Sequence, residues 1–220
     1  DDITNSSAYV WKFGCDVTPP SVTDIDGFDD PTKMTEYGNS TTIWHADQTV
    51  YFEWTVTDGS SGVNSLYYYY WGTSDSGDPT TAVFGNSLPV SCMSDGTWYF
   101  RVKAYDVAGN FDIGSFVYMY DSTTPDIDPV TCRTENGGTL IPEDSWTNDA
   151  SVSFEWDIPS PNCPSGVTYY YVINTSATPC VDNSDTALSV SYIDDVPLST
   201  DGTYYFHVRA QNGAWAYGTE

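Results

Sequence analysis

The chain has 220 residues, of which 40% are hydrophobic and 16% aromatic, so it is long enough and apolar enough to build folded cores. Six basic residues stand against 31 acidic ones, which gives a formal net charge of -25. This balance excludes the basic surface that nucleic-acid binding requires, and it disfavours anionic membrane surfaces. No apolar run approaches the length of a membrane span, so we expect no membrane insertion.

The first predicted element is a strand at Ala8–Cys15, within SAYVWKFGCDVTPP. Alternation places Tyr9, Trp11 and Phe13 on one face and Ala8, Val10 and Lys12 on the other. The stretch has no domain in front of it, and we treat residues 1–15 as a separate N-terminal segment. The chain begins DDITNSS without Met, which is typical of a processed product.

An acidic loop follows, TDIDGFDD, with carboxylates at Asp24, Asp26, Asp29 and Asp30. Calcium takes six to eight oxygen ligands, so closely spaced carboxylates suit it. A complete calcium-loop pattern is missing, because no suitably placed Glu closes the loop. Calcium at these four residues is the one cofactor that we predict.

The rest of the chain is an internal repeat of about one hundred residues. VYFEWTVTDGSSGVNSLYYYYWGTS matches VSFEWDIPSPNCPSGVTYYYVINTS, and SDGTWYFRVKAYDVAGNF matches TDGTYYFHVRAQNGAWAY. Apolar residues alternate with polar ones at Val50–Thr57 and again at Val152–Ile158, as in half-buried strands. Turn signals separate the strands, and no segment of useful length has helical periodicity. The repeat therefore predicts two β-sandwiches, at residues 16–122 and 123–220.

The segments SDGTWYFRVKAYDVAGN, TDGTYYFHVRA and DVTPP resemble the immunoglobulin-like or fibronectin type III-like modules repeated in bacterial and archaeal surface proteins. The resemblance covers nearly the whole chain. It implies an all-β fold of two tandem sandwiches and an extracellular, cell-surface location. It leaves the function open, because such modules serve as stalks, adhesin repeats, surface-layer parts and spacers on secreted enzymes.

The second copy is predicted to lack its last strand. In the first copy that strand is assigned to Ser115–Asp121, before the TTP junction. In the second copy the preceding strand runs to about Gln211, and QNGAWAYGTE replaces the D-x-A-G-N turn of Asp106–Asn110. Ala8–Cys15 aligns with Ser115–Tyr120, so it has the character of a last strand.

These two observations suggest that Ala8–Cys15 of one subunit fills the second sandwich of the next, as in donor-strand polymers such as pili. Such a head-to-tail contact generates a filament. The donor residues would be Tyr9, Val10, Trp11 and Phe13, with the aromatic face favoured, and the acceptor groove would contain Phe154, Trp156, Phe206 and Val208. The partners would then be copies of the chain itself. One alternative is a segment of a longer adhesin or surface-layer stalk, and another is a carbohydrate-binding accessory module.

Other features carry weaker predictions. The candidates for disulfide bonds are Cys15, Cys92, Cys132, Cys163 and Cys180. In one scheme, Cys15 bonds to Cys180 of another subunit and Cys132 bonds to Cys163. In another, Cys92 forms a bond across the domain junction. The sequence leaves the connectivity open. Asn5, Asn39 and Asn174 lie in glycosylation triplets, which matter only outside the cell. His45 is expected in a loop and His207 on the outer face of a strand, and no catalytic constellation is recognisable around either histidine, so we predict no enzyme.

Overall fold

A computed structural model describes residues 10–127, 129–159, 162–178 and 180–218. These residues form strands, turns and loops and contain no helix, which confirms the all-β prediction. The strands of the first repeat are β1 (Ser21–Phe28), β2 (Glu36–Tyr37), β3 (Trp44–His45), β4 (Thr49–Thr57), β5 (Val63–Gly72), β6 (Thr81–Phe84), β7 (Ser87–Ser91), β8 (Gly96–Asp106) and β9 (Phe111–Tyr120). Those of the second are β10 (Val130–Arg133), β11 (Ser151–Trp156), β12 (Val167–Asn174), β13 (Thr186–Leu188), β14 (Tyr192–Pro197) and β15 (Tyr205–Asn212).

The strands of the first repeat form two sheets, in the orders β2-β1-β4-β7 and β3-β9-β8-β5-β6. Period-two alternation buries Phe52 and Trp54 of β4 while Glu53 between them faces outward. Phe52 stacks on Phe100 of β8 with ring centroids 4.1 Å apart, which joins the two sheets face to face.

The strands of the second repeat form the sheets β10-β11-β14 and β13-β12-β15. Their core contains Trp156, Tyr169, Val208 and Ala210. Phe154 of β11 stacks on Phe206 of β15 at 3.9 Å, which repeats the stack of the first sandwich. The same alternation in both copies therefore produces the same contact between sheets.

By contacts between Cα atoms, the chain divides into two compact units. Among the described residues, one contains residues 10–37, 51–90 and 99–116, and the other contains residues 38–50, 91–98 and those from 117 to 218. The strands β4, β7, β8 and β9 contribute residues to both units. The division into domains at residues 16–122 and 123–220 rests on the repeat and stays a prediction.

Residues 10–15, the described part of the N-terminal segment, do not form a strand in the single chain. Residues 10–20 have no regular secondary structure, and Ala8 and Tyr9 lie outside the described residues. The side chains of Val10, Trp11 and Phe13 are 87%, 91% and 88% exposed. Three of the four side chains at positions 10–13 are therefore large, apolar and without a packing partner on the described part of their own chain.

Candidate strand-acceptor site

In the first repeat, the last strand closes the core. β9 buries Phe116, Tyr118 and Tyr120, which alternate along its inner face. The ring of Phe116 packs edge-on against Phe52 with centroids 5.2 Å apart. Phe52 and Phe100 are consequently almost inaccessible to solvent, at 1% and 0% exposed.

In the second repeat, the corresponding rings are incompletely covered. β15 is at the edge of its sheet among the described residues, with β12 on one side and no strand on the other. Phe154 and Phe206 keep the stacked geometry but remain partly exposed. The rings that are fully buried beside β9 in the first repeat are thus only partly covered in the second, where the acceptor groove is predicted.

A tryptophan of the second repeat is also more exposed than its counterpart in the first. Trp44 of the first repeat is half-buried in β3, a short strand that pairs in parallel with β9 through Met119. The matching position in the second repeat is Trp146, which lies outside any strand and is 82% exposed. β3 forms by pairing with β9. Among the described residues the second repeat has no counterpart to β9, so Trp146 has no neighbouring strand with which to pair.

The far end of the edge of β15 is occupied. Asn212 N donates to Ala216 O at 2.9 Å, just as Asp106 N donates to Asn110 O at 3.0 Å in the first repeat. The chain then turns back along β15, where Gly218 N donates to Ala210 O at 3.0 Å. The replacement of D-x-A-G-N therefore preserves the turn, and the open stretch of edge is the part of β15 before Ala210.

The N-terminal segment matches the inner face of β9 residue by residue. Asp16 corresponds to Asp121, because each is followed two residues later by Thr and then by the Pro-containing junction. Counting back from this pair, Trp11 corresponds to Phe116 and Phe13 to Tyr118. These counterparts are each 1% exposed in β9, which favours the aromatic face of the segment as the one that packs.

The predicted acceptor residues differ in exposure. Trp156 and Val208 are already buried at 5% exposed, in the core of the second repeat. Phe154 and Phe206 are the members that an added strand would cover. Trp146 was not predicted, although its alignment with Trp44 was available in the sequence.

No protein-family model matches the chain, and no curated protein matches it. Among solved structures, domains A168–A170 of titin are similar, with a TM-score of 0.51 and 13% identity, covering 92% of this chain and 64% of that one. The FN1–FN3 domains of chicken CNTN1 also match, with a TM-score of 0.37 and 13% identity, covering 80% of this chain and 58% of that one.

The similarity to titin decides the fold. This chain is built of immunoglobulin-like β-sandwiches. Identity of 13% supports a statement about the fold alone, and the chain spans less than two thirds of either matched structure.

All five cysteines are unpaired in the single chain of immunoglobulin-like sandwiches, so a bond between Cys132 and Cys163 is not formed. Cys92 and Cys163 are buried, and desolvation raises the pKa of their thiols to about 12 and about 11. Burial also raises the pKa of the half-buried Cys132. Cys15 and Cys180 are exposed, and a bond between them on two subunits stays a prediction.

Selective alkylation is expected to follow this division. In the native, unassociated chain at about pH 8, Cys15 and Cys180 should react quickly with iodoacetamide, because only exposed thiolate is nucleophilic. Cys92 and Cys163 should react only after unfolding, since a raised pKa leaves little thiolate and burial blocks access. Peptide mapping by mass spectrometry, with a urea-unfolded sample as control, measures this. Labelling of Cys92 as fast as Cys15 would contradict the buried environment.

The acidic loop does not assemble a shared set of carboxylates. Asp24 lies at a β-bulge between β1 and β4 with a φ of 49°, and Asp29 and Asp30 accept hydrogen bonds from Thr35 N and Thr32 N. Within the described ranges, the carboxylates close enough to share a metal are Asp16, Asp58 and Asp106. Calcium at Asp24, Asp26, Asp29 and Asp30 therefore stays a prediction without support from the geometry.

The remaining predicted residues lie on strands and loops. Asn39 is exposed, with Oδ1 accepting from Val117 N at 2.9 Å, whereas Asn174 is partly exposed at the end of β12 and Asn5 lies outside the described residues. His45 was expected in a loop but belongs to β3, where its ring stacks on Tyr118 and burial lowers its pKa. No helix in the described part of the chain has the length and apolarity to cross a membrane.

Proposed function

We propose that this chain is a structural subunit of an extracellular filament, which assembles head-to-tail when its N-terminal strand enters the second sandwich of a neighbour. The observation that carries the proposal is a reciprocal mismatch in exposure. Trp11 and Phe13 are about nine-tenths exposed, whereas their counterparts in β9 are 1% exposed. Phe154 and Phe206 are partly exposed, whereas Phe52 and Phe100 are buried.

The energetics favour such a contact. Burying a large aromatic side chain contributes about 2–3 kcal/mol before entropy costs. Backbone pairing along the free part of β15 would add to this, because an unpaired sheet edge is a template for a further strand. The net charge of -25 opposes contact between copies, so we expect assembly to strengthen as salt screens the repulsion.

An extracellular location and a structural role fit the composition. A strongly acidic, Ser- and Thr-rich chain of immunoglobulin-like sandwiches with Asn-x-Ser/Thr triplets is typical of surface modules. In this role the chain needs no catalytic group, and its partners are further copies of itself. Glycans on Asn39 or Asn174 would be compatible with the proposal, since neither residue contributes to the groove.

A second candidate is a stalk module of a longer adhesin or surface-layer protein, in which the same chain supplies the missing strand. The observation that favours it is the run at Tyr217 and Gly218, which already lies antiparallel to β15. A continuation of this run would cover Phe154 and Phe206 without a second subunit.

Electron microscopy of the native material, combined with the intact mass of the dissociated chain, separates the two candidates. The filament proposal predicts polymers of chains with the mass of this sequence, lost when residues 1–15 are deleted. A longer chain whose further residues fill the groove would favour the stalk. Unassociated chains of this mass, without polymers at any salt concentration, would contradict the filament.

A further inference from the structure

The last strand of the first repeat is flanked on both sides. β9 lies between β8 and β3, and β3 runs parallel to it, with Trp44 opposite Met119 and His45 opposite Tyr120. The pairing continues past the end of β9, because Asp121 N donates to His45 O at 2.9 Å. The outer edge of β9 is therefore covered at its C-terminal end, where an unpaired edge would otherwise remain.

Side chains join these two strands as well. The ring of His45 stacks on that of Tyr118, with centroids 4.9 Å apart, and the Tyr118 hydroxyl donates to Asp47 O at 2.8 Å. Tyr118 is 1% exposed, so residues 44–47 contact the buried face of β9 and not its edge alone. A strand of two residues is too short to be stable without such neighbours, so β3 depends on β9.

The second repeat contains the matching segment without the strand. Trp146 and Thr147 stand before Val152 at the same separation as Trp44–His45 before Val50. Residues 145–149 form no regular secondary structure. Because no strand among the described residues lies beyond β15, this segment has no equivalent of β9 with which to pair.

The side chains of this segment reflect its isolation. Trp146 is 82% exposed, whereas Trp44 is half-buried. The Thr147 hydroxyl donates to Asp149 Oδ2 at 3.0 Å and accepts from Asp149 N at 3.1 Å. Threonine and aspartate make such local bonds as an alternative to pairing with a strand. These bonds are exposed to water, so an incoming strand can replace them at small cost.

The N-terminal segment has the register that such a pairing requires. Asp16 corresponds to Asp121, so residues 14–15 correspond to the two residues of β9 that pair with β3. A donated strand that paired with β15 alone would leave the backbone groups of its other edge unpaired. By its place in the repeat, the segment at residues 146–147 is the one that would cover that edge.

We propose that Trp146 and Thr147 form a further strand when a second copy donates its N-terminal segment. The new strand pairs in parallel with residues 14–15 of that copy, and Thr147 O accepts from Asp16 N of the donor. The donated strand is then held between β15 and the new strand, as β9 is held between β8 and β3. The pairing rests on the filament proposed for this chain, and it adds a second contact between the same two copies.

A disulfide trap that uses the native Cys15 tests this register. Thr147 lies opposite Cys15 in the proposed pairing, and neighbouring strands are about 4.8 Å apart, within the Cα separation of about 4.4–6.8 Å that a disulfide spans. We expect Thr147→Cys, in a Cys180→Ser background that removes the other exposed thiol, to bond to Cys15 of a second chain. Chains with natural and heavy nitrogen are mixed, treated with oxidised glutathione and mapped by mass spectrometry of unreduced peptides.

The matched control moves the new thiol two residues along the segment. Ser145→Cys in the same background lies about 6.6 Å further along the strand, so its Cα is about 8 Å from that of Cys15, too far for a bond without backbone movement. Its bond to Cys15 should form at least about fivefold more slowly than that of Thr147→Cys. In the unmodified chain, hydrogen exchange at residues 145–149 should slow when copies associate, which gives a second readout without a new thiol.

Sedimentation velocity on the same samples separates failure of the pairing from failure of the filament. If chains associate but the two cysteine variants bond equally fast, or exchange at residues 145–149 is unchanged, the pairing is overturned and the filament stands. Chains that do not associate at any salt concentration would overturn both. Bonds between Cys15 and Thr147→Cys within single chains would also overturn the pairing, since the strand would then come from the same copy.

Discussion

Replacing Trp11 and Phe13 together by aspartate is expected to abolish head-to-tail association while leaving both sandwiches folded. Each aromatic side chain should contribute about 2–3 kcal/mol on burial in the groove. Loss of both would weaken association by roughly a thousandfold or more, at 1.4 kcal/mol for each factor of ten. Sedimentation velocity over a range of concentrations measures the loss, and circular dichroism checks the fold.

Two single variants serve as controls for this prediction. Val10→Asp changes the opposite face of the segment, so the aromatic register predicts a much smaller effect on association. Met34→Asp changes an 83% exposed apolar residue outside the segment and the groove, and it should have no effect beyond added charge. Association of the Trp11 and Phe13 double variant at the parent's affinity would contradict strand donation.

The second large effect is a contrast between matched phenylalanines. Phe52→Ala should lower the free energy of unfolding of the first sandwich by about 3–5 kcal/mol, because it empties a buried site. Phe154→Ala should cost the unassociated chain clearly less, since its ring is only partly covered. In the assembled state the cost of Phe154→Ala should approach that of Phe52→Ala.

Hydrogen exchange measured on peptides from β4 and β11 resolves the two sandwiches separately. The comparison is made in dilute, unassociated samples and in concentrated ones. Equal costs in the unassociated chain would mean that the second core is already closed. An unchanged cost for Phe154→Ala on concentration would mean that nothing covers its ring.

The features that follow from local pattern were predictable. Period-two alternation at Val50–Thr57 and at Val152–Ile158 indicates strands, and the structure places the rings of Phe52 and Phe154 in equivalent stacks. The hydrogen-bonding of the last turn was not predicted, because Asn212 replaces Asp106 without changing the backbone bond that defines the turn. The side-chain oxygens of an amide and a carboxylate can accept the same hydrogen bonds, so the two turns are alike although their sequences differ.

The features that depend on distant segments could not be predicted. β3 exists because β9 lies beside it, so the local sequence predicted a loop at His45, whereas Trp146 could have been found from its alignment with Trp44. Carboxylates close in sequence predicted calcium ligands in the loop at Asp24–Asp30. Asp16, Asp58 and Asp106 come together only through the pairing of strands that are far apart in the chain.

In the proposed filament, Trp11 of one chain packs against Phe154 and Phe206 of another, as Phe116 packs against Phe52 in the first sandwich. The most direct test of this contact replaces Trp11 by photoreactive benzoylphenylalanine and irradiates a mixture of chains with natural and heavy nitrogen. Strand donation predicts cross-links between chains of unlike mass, mapped by mass spectrometry to β11 or β15 near Phe154 and Phe206. Cross-links confined within single chains, or cross-links between chains at unrelated surfaces, would contradict it.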